Sequence, residues 1–220
     1  PNHPAISHGD ITRSWAGYDS RAARVAGALD AHGLGPNAKV ALFMYNSNEF
    51  MESQFGVFKM RGVPINVNYR YLDEELWYLL DNSDSEAIIF HSSLGDRVAR
   101  VAERLPKLKL LVEVDDGDAG LVPNAIAFED FVANSEPMPR IERSEDDLYM
   151  LYTGGTTGMP KGVMYDMGGM TRGFLMLGLP MLGMAPPNDA SEVGAMIAGA
   201  SQNGSTLVSI PAAPLMHGTG

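Results

Sequence analysis

The sequence of 220 residues contains no cysteine. Its absence excludes disulfide bonds and thiol chemistry for this chain. A chain that needs no disulfides fits a reducing compartment. We therefore expect a cytoplasmic protein.

Basic residues are also scarce. The chain has 16 Lys and Arg against 27 Asp and Glu, which gives a formal net charge of −11. Proteins that bind nucleic acids present basic faces to the phosphate backbone. The composition thus argues against a nucleic-acid partner, and any anionic substrate must be met by locally placed N–H groups, Lys or Arg.

Long apolar runs are missing as well. The stretch 174–187 is apolar, but Gly178, Pro180 and Gly183 interrupt it, and a bilayer-spanning helix needs about twenty residues. We therefore expect no transmembrane segment. The sequence starts at Pro1 without a basic-then-apolar leader, so we expect no signal peptide.

The sequence does contain a regular alternation of apolar and amphipathic segments. Helical spacing is typical of residues 18–29, 49–60, 73–82 and 98–105, and short apolar runs predict strands at 40–45, 64–67, 87–90 and 108–114. This order predicts an α/β fold whose βαβ units form mostly parallel sheets flanked by helices.

Other segments carry weaker expectations. Residues 1–13 are expected to be irregular, 129–133 to form a short helix, 145–147 to be a solvated strand end, and 205–210 to form a strand. The prolines of Pro137-Met138-Pro139 suggest a subdomain boundary near residues 135–145.

One stretch carries most of the chemistry. An apolar run, 148–152, predicts a strand that leads into Thr153-Gly154-Gly155-Thr156-Thr157-Gly158-Met159-Pro160-Lys161-Gly162. Glycines allow positive φ, and successive N–H groups in such a turn form an anion-binding concavity. Hydroxyl groups can bind phosphate oxygens or Mg²⁺, and a lysine adds positive charge. We therefore predict a polyphosphate loop with phosphate-binding residues Thr153, Gly154, Gly155, Thr156, Thr157, Gly158 and Lys161.

The loop is not a Walker loop, because Pro160 precedes Lys161 and Gly162 follows it. It resembles instead the signature loop of the adenylate-forming superfamily, which includes acyl-CoA synthetases, luciferases and peptide-synthetase adenylation domains. That family usually reads Tyr-Thr-Ser-Gly-Thr-Thr-Gly-x-Pro-Lys-Gly. Here Gly154 stands where the family commonly has Ser or Thr, so one possible hydroxyl ligand is missing.

A second resemblance lies at Pro214-Leu215-Met216-His217-Gly218-Thr219-Gly220, which is similar to a Pro-x-x-His-x-x-Gly segment of acyl-CoA synthetases. The resemblance implies that Met216, His217 and Gly218 line the acyl and coenzyme A pocket. A third resemblance concerns the early scaffold of the same family, to which we assign packing. It lies at Gly62-Val63-Pro64-Ile65-Asn66-Val67-Asn68-Tyr69-Arg70, Glu74-Glu75-Leu76 and Leu80-Asp81-Asn82-Ser83.

The resemblance implies an AMP-forming acid–thiol ligase, an acyl-CoA synthetase for long fatty acids or steroid side-chain acids. ATP and coenzyme A would be its substrates, and Mg²⁺ would be its metal. Lys161 and His217 would be catalytic, and Thr153 and Thr156 would be magnesium ligands. Other adenylating enzymes, such as aryl-acid ligases or peptide-synthetase domains, stay open, as does a non-catalytic nucleotide-binding fragment.

The family's adenine site, C-terminal lid and lid lysine would lie beyond residue 220. We therefore expect residues 1–220 to be an incomplete N-terminal domain that is inactive by itself, and we expect the protein to form a homodimer. The Met-rich stretch 164–196 predicts either an adaptable core helix or part of an apolar tunnel or protein contact.

Overall fold

The computed structural model describes residues 1–118, 122–153, 159–181, 183–202 and 208–217. The strands are β1 (Pro4–His8), β2 (Ile11–Ser14), β3 (Lys39–Phe43), β4 (Val63–Asn66), β5 (Ala87–His91), β6 (Leu110–Val114), β7 (Ala125–Ala127), β8 (Leu148–Thr153) and β9 (Lys161–Asp166). The helices are α1 (Trp15–Ala31), α2 (Asn48–Lys59), α3 (Asp73–Asn82), α4 (Gly95–Ala102), α5 (Phe128–Ala133), α6 (Met167–Gly173), α7 (Leu179–Met181) and α8 (Val193–Gln202). A π-helical segment, Phe174–Gly178, joins α6 to α7.

Seven strands form one sheet in the order β7-β6-β5-β3-β4-β8-β9. All neighbouring pairs from β7 to β8 are parallel, and β9 joins β8 in antiparallel orientation. Strands β3 and β4 step towards one edge of the sheet, whereas β5, β6 and β7 step towards the other. The predicted α/β class is confirmed, and the winding direction reverses between β3 and β5.

The sheet is covered on both faces, as the continuous apolar strands predict. In β3, Val40 and Leu42 pack with α1, α2 and α5, while Ala41 and Phe43 pack with α3 and α4. Successive side chains of a strand point to opposite faces. A single strand therefore contributes to two hydrophobic cores.

Helix α1 packs closely on α2, and Gly56 permits the approach. A Cβ added at Gly56 would lie 2.6 Å from Val25 Cγ1 and 2.9 Å from the Ala22 carbonyl oxygen. The serines Ser14 and Ser47 cap these helices, accepting from the N–H of Gly17 and Phe50. The predicted helices are thus confirmed, with hydroxyl N-caps of the preferred kind.

A buried carboxylate links α2 to its neighbours. Glu52 is fully buried and accepts hydrogen bonds from Arg13 at 3.2 Å and from Arg21 at 2.8 Å. Burial raises the pKa of Glu52, although both guanidinium groups favour its charged form. Arg21 also binds Glu129, so this cluster connects β2, α1, α2 and α5.

The expectation that residues 1–13 are irregular is wrong. They contain the antiparallel hairpin of β1 and β2, with His8 opposite Ile11. Its loop is Gly9-Asp10, and Gly9 has a φ of 56°. A two-residue loop with positive φ matches the twist of a hairpin, and the short polar strands hid this signal.

The expectation of a solvated strand end at 145–147 is wrong at Asp147. Its side chain is buried and binds Arg61, with a nitrogen–oxygen distance of 2.9 Å. Arg61 follows α2 and has a φ of 61°. Because the acidic run looks solvated in the sequence, only the meeting of α2 with β8 selects Asp147 as the paired residue.

Two interpretations of the later segments are also wrong, namely the core-helix alternative for residues 164–196 and the strand at 205–210. The Met-rich stretch is not a core helix, because α6, the π-helical segment and α8 have no buried residue among the side chains that the structure describes there, and only Leu179 of α7 is buried in the described part of the stretch. Its alternative as part of an apolar tunnel or protein contact stays a prediction. Residues 208–210 form no strand, and Val208 and Ile210 are exposed; residues 203–207 lie outside the described residues. Apart from Leu179, apolar composition did not produce burial in these segments, because their described residues do not pack against the two cores.

Smaller differences concern element bounds. Helix α4 begins at Gly95, earlier than predicted, and ends at Ala102. The short strand β7 was missed, since three half-buried residues give no clear alternation. No helix in the described parts of the chain combines the length and apolarity that crossing a membrane requires.

Candidate active site

The predicted phosphate loop connects the antiparallel strands β8 and β9. Thr153 ends β8, Lys161 begins β9, and these two residues are direct cross-strand partners. Residues opposite each other in an antiparallel pair place their side chains on the same face. The structure thus brings together one hydroxyl and one ammonium of the predicted site, both exposed.

The other predicted loop residues cannot be placed in the same way. Gly154, Gly155, Thr156, Thr157 and Gly158 lie outside the described residues, as does Gly218 of the second predicted segment. Their assignment as phosphate, magnesium or acyl-pocket residues stays a prediction. Pro160, which closes the loop, is buried.

The strand pair next to the loop is closely packed. Tyr152 is buried, and its hydroxyl donates to Asn82 Oδ1 at 2.8 Å. Burial raises the pKa of Tyr152 to about 12, so the phenol stays a donor at neutral pH. Opposite Tyr152, a Cβ added at Gly162 would lie 3.1 Å from the tyrosine ring. The small Gly162 after Lys161 therefore makes room for this ring.

The second predicted segment is a turn. The His217 N–H donates to the Pro214 carbonyl oxygen at 3.0 Å, Met216 is buried, and the His217 side chain is exposed. Leu215 packs against the core on the α1–α2 side of the sheet. Met216 and His217 thus lie on a fixed turn rather than in a free tail.

Two asparagines hold this turn. Asn46 Oδ1 accepts from the Leu215 N–H at 2.8 Å, and Asn66 Nδ2 donates to the Leu215 carbonyl oxygen at 3.0 Å. Asn46 follows β3, and Asn66 is the last residue of β4. The sequence predicts only a packing role for the segment around Asn66, and this contact is an unexpected feature of the structure. An asparagine is unfavourable within a buried apolar strand, and this was the available signal.

The 214–217 turn and Thr153, the first residue of the phosphate loop, both lie at the carboxyl end of the parallel strands. Strands β4 and β8 are parallel neighbours, with Asn66 opposite Leu151. Asn66 at the carboxyl end of β4 holds the turn, and Thr153 at the carboxyl end of β8 starts the phosphate loop. In open parallel sheets, ligands bind outside the carboxyl ends of the strands.

A cavity of about 900 Å³ lies elsewhere, between α2, residues 143–147 and α6. It is lined by Arg61 and Asp147, at the amino end of β8. Strand β8 has six residues, so Thr153 at its other end is on the order of 17 Å away. This cavity is therefore remote from Thr153, where the predicted phosphate loop begins.

The described donors do not form a complete metal site. No group of three or more His, Asp or Glu side chains suited to a metal occurs within the described ranges. Mg²⁺ is commonly bound by one or two carboxylates together with substrate phosphates. Thr153 fits as a single oxygen ligand, so the ion would depend on ATP phosphates and further groups.

The chain matches the sequence model of the AMP-binding enzymes over residues 1–219 and belongs to this family. It is 38% identical over 180 residues to the medium-chain acyl-CoA ligase Mig of Mycobacterium avium, a match that covers 75% of this chain and 33% of the relative. It is 42% identical over 168 residues to the 3-oxocholest-4-en-26-oate–CoA ligase of Rhodococcus rhodochrous, covering 75% and 30%. The chain thus spans about a third of the length of these relatives.

Solved structures show the same fold. The anthranilate CoA ligase AuaEII, in complex with anthranoyl-AMP, superimposes with a TM-score of 0.70 at 23% identity, covering 75% of this chain and 32% of that one. ATP-bound MatB from Rhodopseudomonas palustris gives a TM-score of 0.65 at 29% identity, covering 76% and 32%. The predicted membership of the adenylate-forming superfamily is confirmed.

Proposed function

We propose that residues 1–220 are the N-terminal part of an AMP-forming acyl-CoA ligase that activates an apolar carboxylic acid. The acid would become an acyl-adenylate and then a coenzyme A thioester. The observation that carries the proposal is the pairing of Thr153 with Lys161 at the loop end of the β8–β9 hairpin, where the signature loop begins and ends. The names of the relatives, both CoA ligases, support the same reaction class.

In the first step, a substrate carboxylate oxygen bonds to the α-phosphorus of ATP and pyrophosphate leaves. Lys161 and the loop N–H groups would stabilise the charge on the β- and γ-phosphates, and Thr153 and Thr156 would add hydroxyl oxygens. In the second step, the coenzyme A thiol displaces AMP. Positioning and charge stabilisation supply most of the catalysis in such steps. Mg²⁺ would neutralise phosphate charge when bound.

His217, with Met216 and Gly218, would line the region where the acyl group meets adenylate and coenzyme A. The sequence has no carboxylate between Pro211 and Gly220. An α-ammonium group buried there without a partner would cost several kcal/mol, on the order of other unpaired buried charges. An amino acid is therefore disfavoured, and a fatty acid or a steroid side-chain acid fits better, as in the relatives' names.

The proposed substrate class is tested in the full-length polypeptide by ATP–pyrophosphate exchange. A panel of fatty, aryl, steroid and amino acids should give specificity constants that rise with the apolar size of the acid, because each buried methylene contributes about 0.8 kcal/mol. Preference for leucine over octanoate would favour a peptide-synthetase domain. No exchange with any acid would favour a non-catalytic nucleotide-binding protein.

The proposed role of Lys161 is tested by Lys161→Ala in the same assay. Loss of one charge-stabilising donor should slow adenylation about 10²–10³-fold. Lys107→Ala is the matched control, since Lys107 is exposed and paired with Asp84. Lys107 precedes β6, and four strands of the described sheet lie between β6 and β9. Equal rates for wild type and Lys161→Ala would remove Lys161 from the site.

Three further features belong to this proposal. The boundary between subdomains would fall near residues 135–145, the protein would work in the cytoplasm, and it would form homodimers. Among the strands that the structure describes, β9 is the outermost of the sheet, and its exposed Val163 and Met164 form a surface able to pair with a second copy. Sedimentation velocity of the wild type and of Val163→Lys would test the dimer; a monomeric wild type would refute it.

A further inference from the structure

The Leu215 peptide is gripped from both sides. Its N–H donates to Asn46 Oδ1 at 2.8 Å, and its carbonyl oxygen accepts from Asn66 Nδ2 at 3.0 Å. Asn46 and Asn66 precede Leu215 by 169 and 149 residues along the chain. They lie at the carboxyl ends of β3 and β4, which are parallel neighbours.

The Asn66 amide has no freedom to turn. Its side chain is buried, and its second N–H donates to the Tyr149 hydroxyl at 2.9 Å. Its Oδ1 accepts from Gln54 Nε2 at 3.3 Å, and Gln54 Nε2 also contacts the Tyr149 hydroxyl at 3.1 Å. Both hydrogens and the oxygen of Asn66 are therefore engaged, and α2, β4 and β8 jointly fix the direction of the bond to Leu215.

His217 lies two residues beyond the gripped peptide. The bond from its N–H to Pro214 closes the turn, and Met216 between them is buried. The backbone at His217 is thus fixed relative to the sheet, whereas its imidazole is free to meet a ligand. A site that must place a reacting group accurately benefits from such supporting contacts.

We propose that Asn46 and Asn66 are positioning residues that clamp the Leu215 peptide. The clamp holds His217 at the carboxyl end of the parallel strands, beside the β8–β9 hairpin. Asn46 supplies an acceptor and Asn66 supplies a donor. The catalytic consequence of this clamp rests on the proposed function, whereas the clamp itself is a property of the 220-residue chain.

The opposite polarity of the two amides gives a sharp test. Asn46→Asp keeps an oxygen for the Leu215 N–H, so it should preserve the clamp. Asn66→Asp puts an oxygen against the Leu215 carbonyl oxygen and should open it. The same substitution is thus expected to have opposite effects at two neighbouring positions. Asn46→Ala and Asn66→Ala each remove one of the two hydrogen bonds to the Leu215 peptide.

A matched control is available in Asn48. It is also buried, and its Nδ2 donates to a backbone carbonyl, that of Ile11 at 3.1 Å, in the N-terminal hairpin. Asn48→Ala should weaken the fold locally without touching the 214–217 turn. It separates loss of the clamp from general destabilisation.

The first readout is hydrogen–deuterium exchange of the amides at Leu215 and His217 in the 220-residue chain. Asn66→Asp, Asn66→Ala and Asn46→Ala should speed this exchange about fivefold to tenfold, the effect of losing one net hydrogen bond. Wild type, Asn46→Asp and Asn48→Ala should retain protection. Equal exchange in Asn46→Asp and Asn66→Asp would overturn the clamp.

The second readout is the kinetics of acyl-CoA formation by the full-length polypeptide. Opening the clamp should lower kcat at least tenfold with little change in the KM for ATP, while Asn46→Asp should keep wild-type kcat. An open clamp with unchanged kcat would overturn the positioning role and leave the proposed function standing. An inactive wild type would overturn the proposed function, and the exchange measurement would still decide the clamp.

Discussion

Helices α1 and α8 are both rich in small and apolar residues, yet they behave differently. Helix α1 buries seven residues against α2, α5 and the sheet, whereas α8 buries none among its described side chains. A similar contrast separates the parallel-sheet body, residues 15–133, from the outer segment, residues 159–202, where Pro160 and Leu179 are the buried residues among those that the structure describes. Apolar composition is therefore a poor guide to burial here, and stability should reside in the body.

The largest expected difference comes from one substitution made in both regions. Phe43→Ala removes a fully buried ring from β3 and should lower the free energy of unfolding by about 3–5 kcal/mol. Phe174→Ala, at a side chain that is 68% exposed, should change it by less than about 0.5 kcal/mol. Urea unfolding of the 220-residue chain measures both. Similar losses would show that the outer segment shares the core.

The effect of a Gly→Ala substitution on stability should have opposite signs in the two regions. Gly56→Ala forces a methyl group against Val25 and the Ala22 carbonyl, and should destabilise the body by about 1–3 kcal/mol. Gly199 lies within α8 with no atom within 4 Å of an added Cβ. Gly199→Ala should therefore stabilise this helix by up to about 1 kcal/mol.

Thermal unfolding and far-ultraviolet circular dichroism of both glycine variants measure this contrast. Gly173→Ala, at another helical glycine with open space around it, serves as a second case for the outer segment. A stabilised Gly56→Ala variant would mean that α1 and α2 are not in close contact.

The smallest expected effect is a pH dependence confined to the body. His91 is buried at the end of β5, and its Nδ1 accepts from the Tyr45 N–H at 3.1 Å. Burial lowers the pKa of His91 below its ordinary value. His91 therefore binds a proton more readily in the unfolded chain than in the folded one. The stability that neutral His91 contributes is present above about pH 6.5 and is lost as pH falls towards the pKa of His91 in the folded protein.

The check is His91→Gln, which keeps an acceptor for Tyr45 but cannot titrate. Its free energy of unfolding should fall less than that of the wild type when pH is lowered below about 6.5. Parallel pH profiles for the two proteins would contradict a neutral buried His91.

The sequence by itself determined the α/β class and the approximate position of most body elements. Continuous apolar runs such as Val40–Phe43 can only be buried on both faces, and the helical spacing of Tyr18, Ala22, Val25 and Leu29 leaves one face for the sheet. The sequence also suggests a phosphate loop, because its glycines, hydroxyls and lysine lie close together between residues 153 and 161, and this assignment stays a prediction. Such local patterns need no knowledge of distant contacts.

Tertiary structure alone decided the rest. The acidic run before β8 looks uniformly solvated, yet Asp147 is selected by Arg61, a residue 86 positions earlier. Asn46 and Asn66 look like a turn and an unfavourable strand residue until Leu215 meets both. The Met-rich stretch looks like core, yet most of its described side chains are exposed or half-buried. In each case the outcome depends on which distant surface arrives beside a residue, and pairings between remote segments leave no periodic trace in a single sequence.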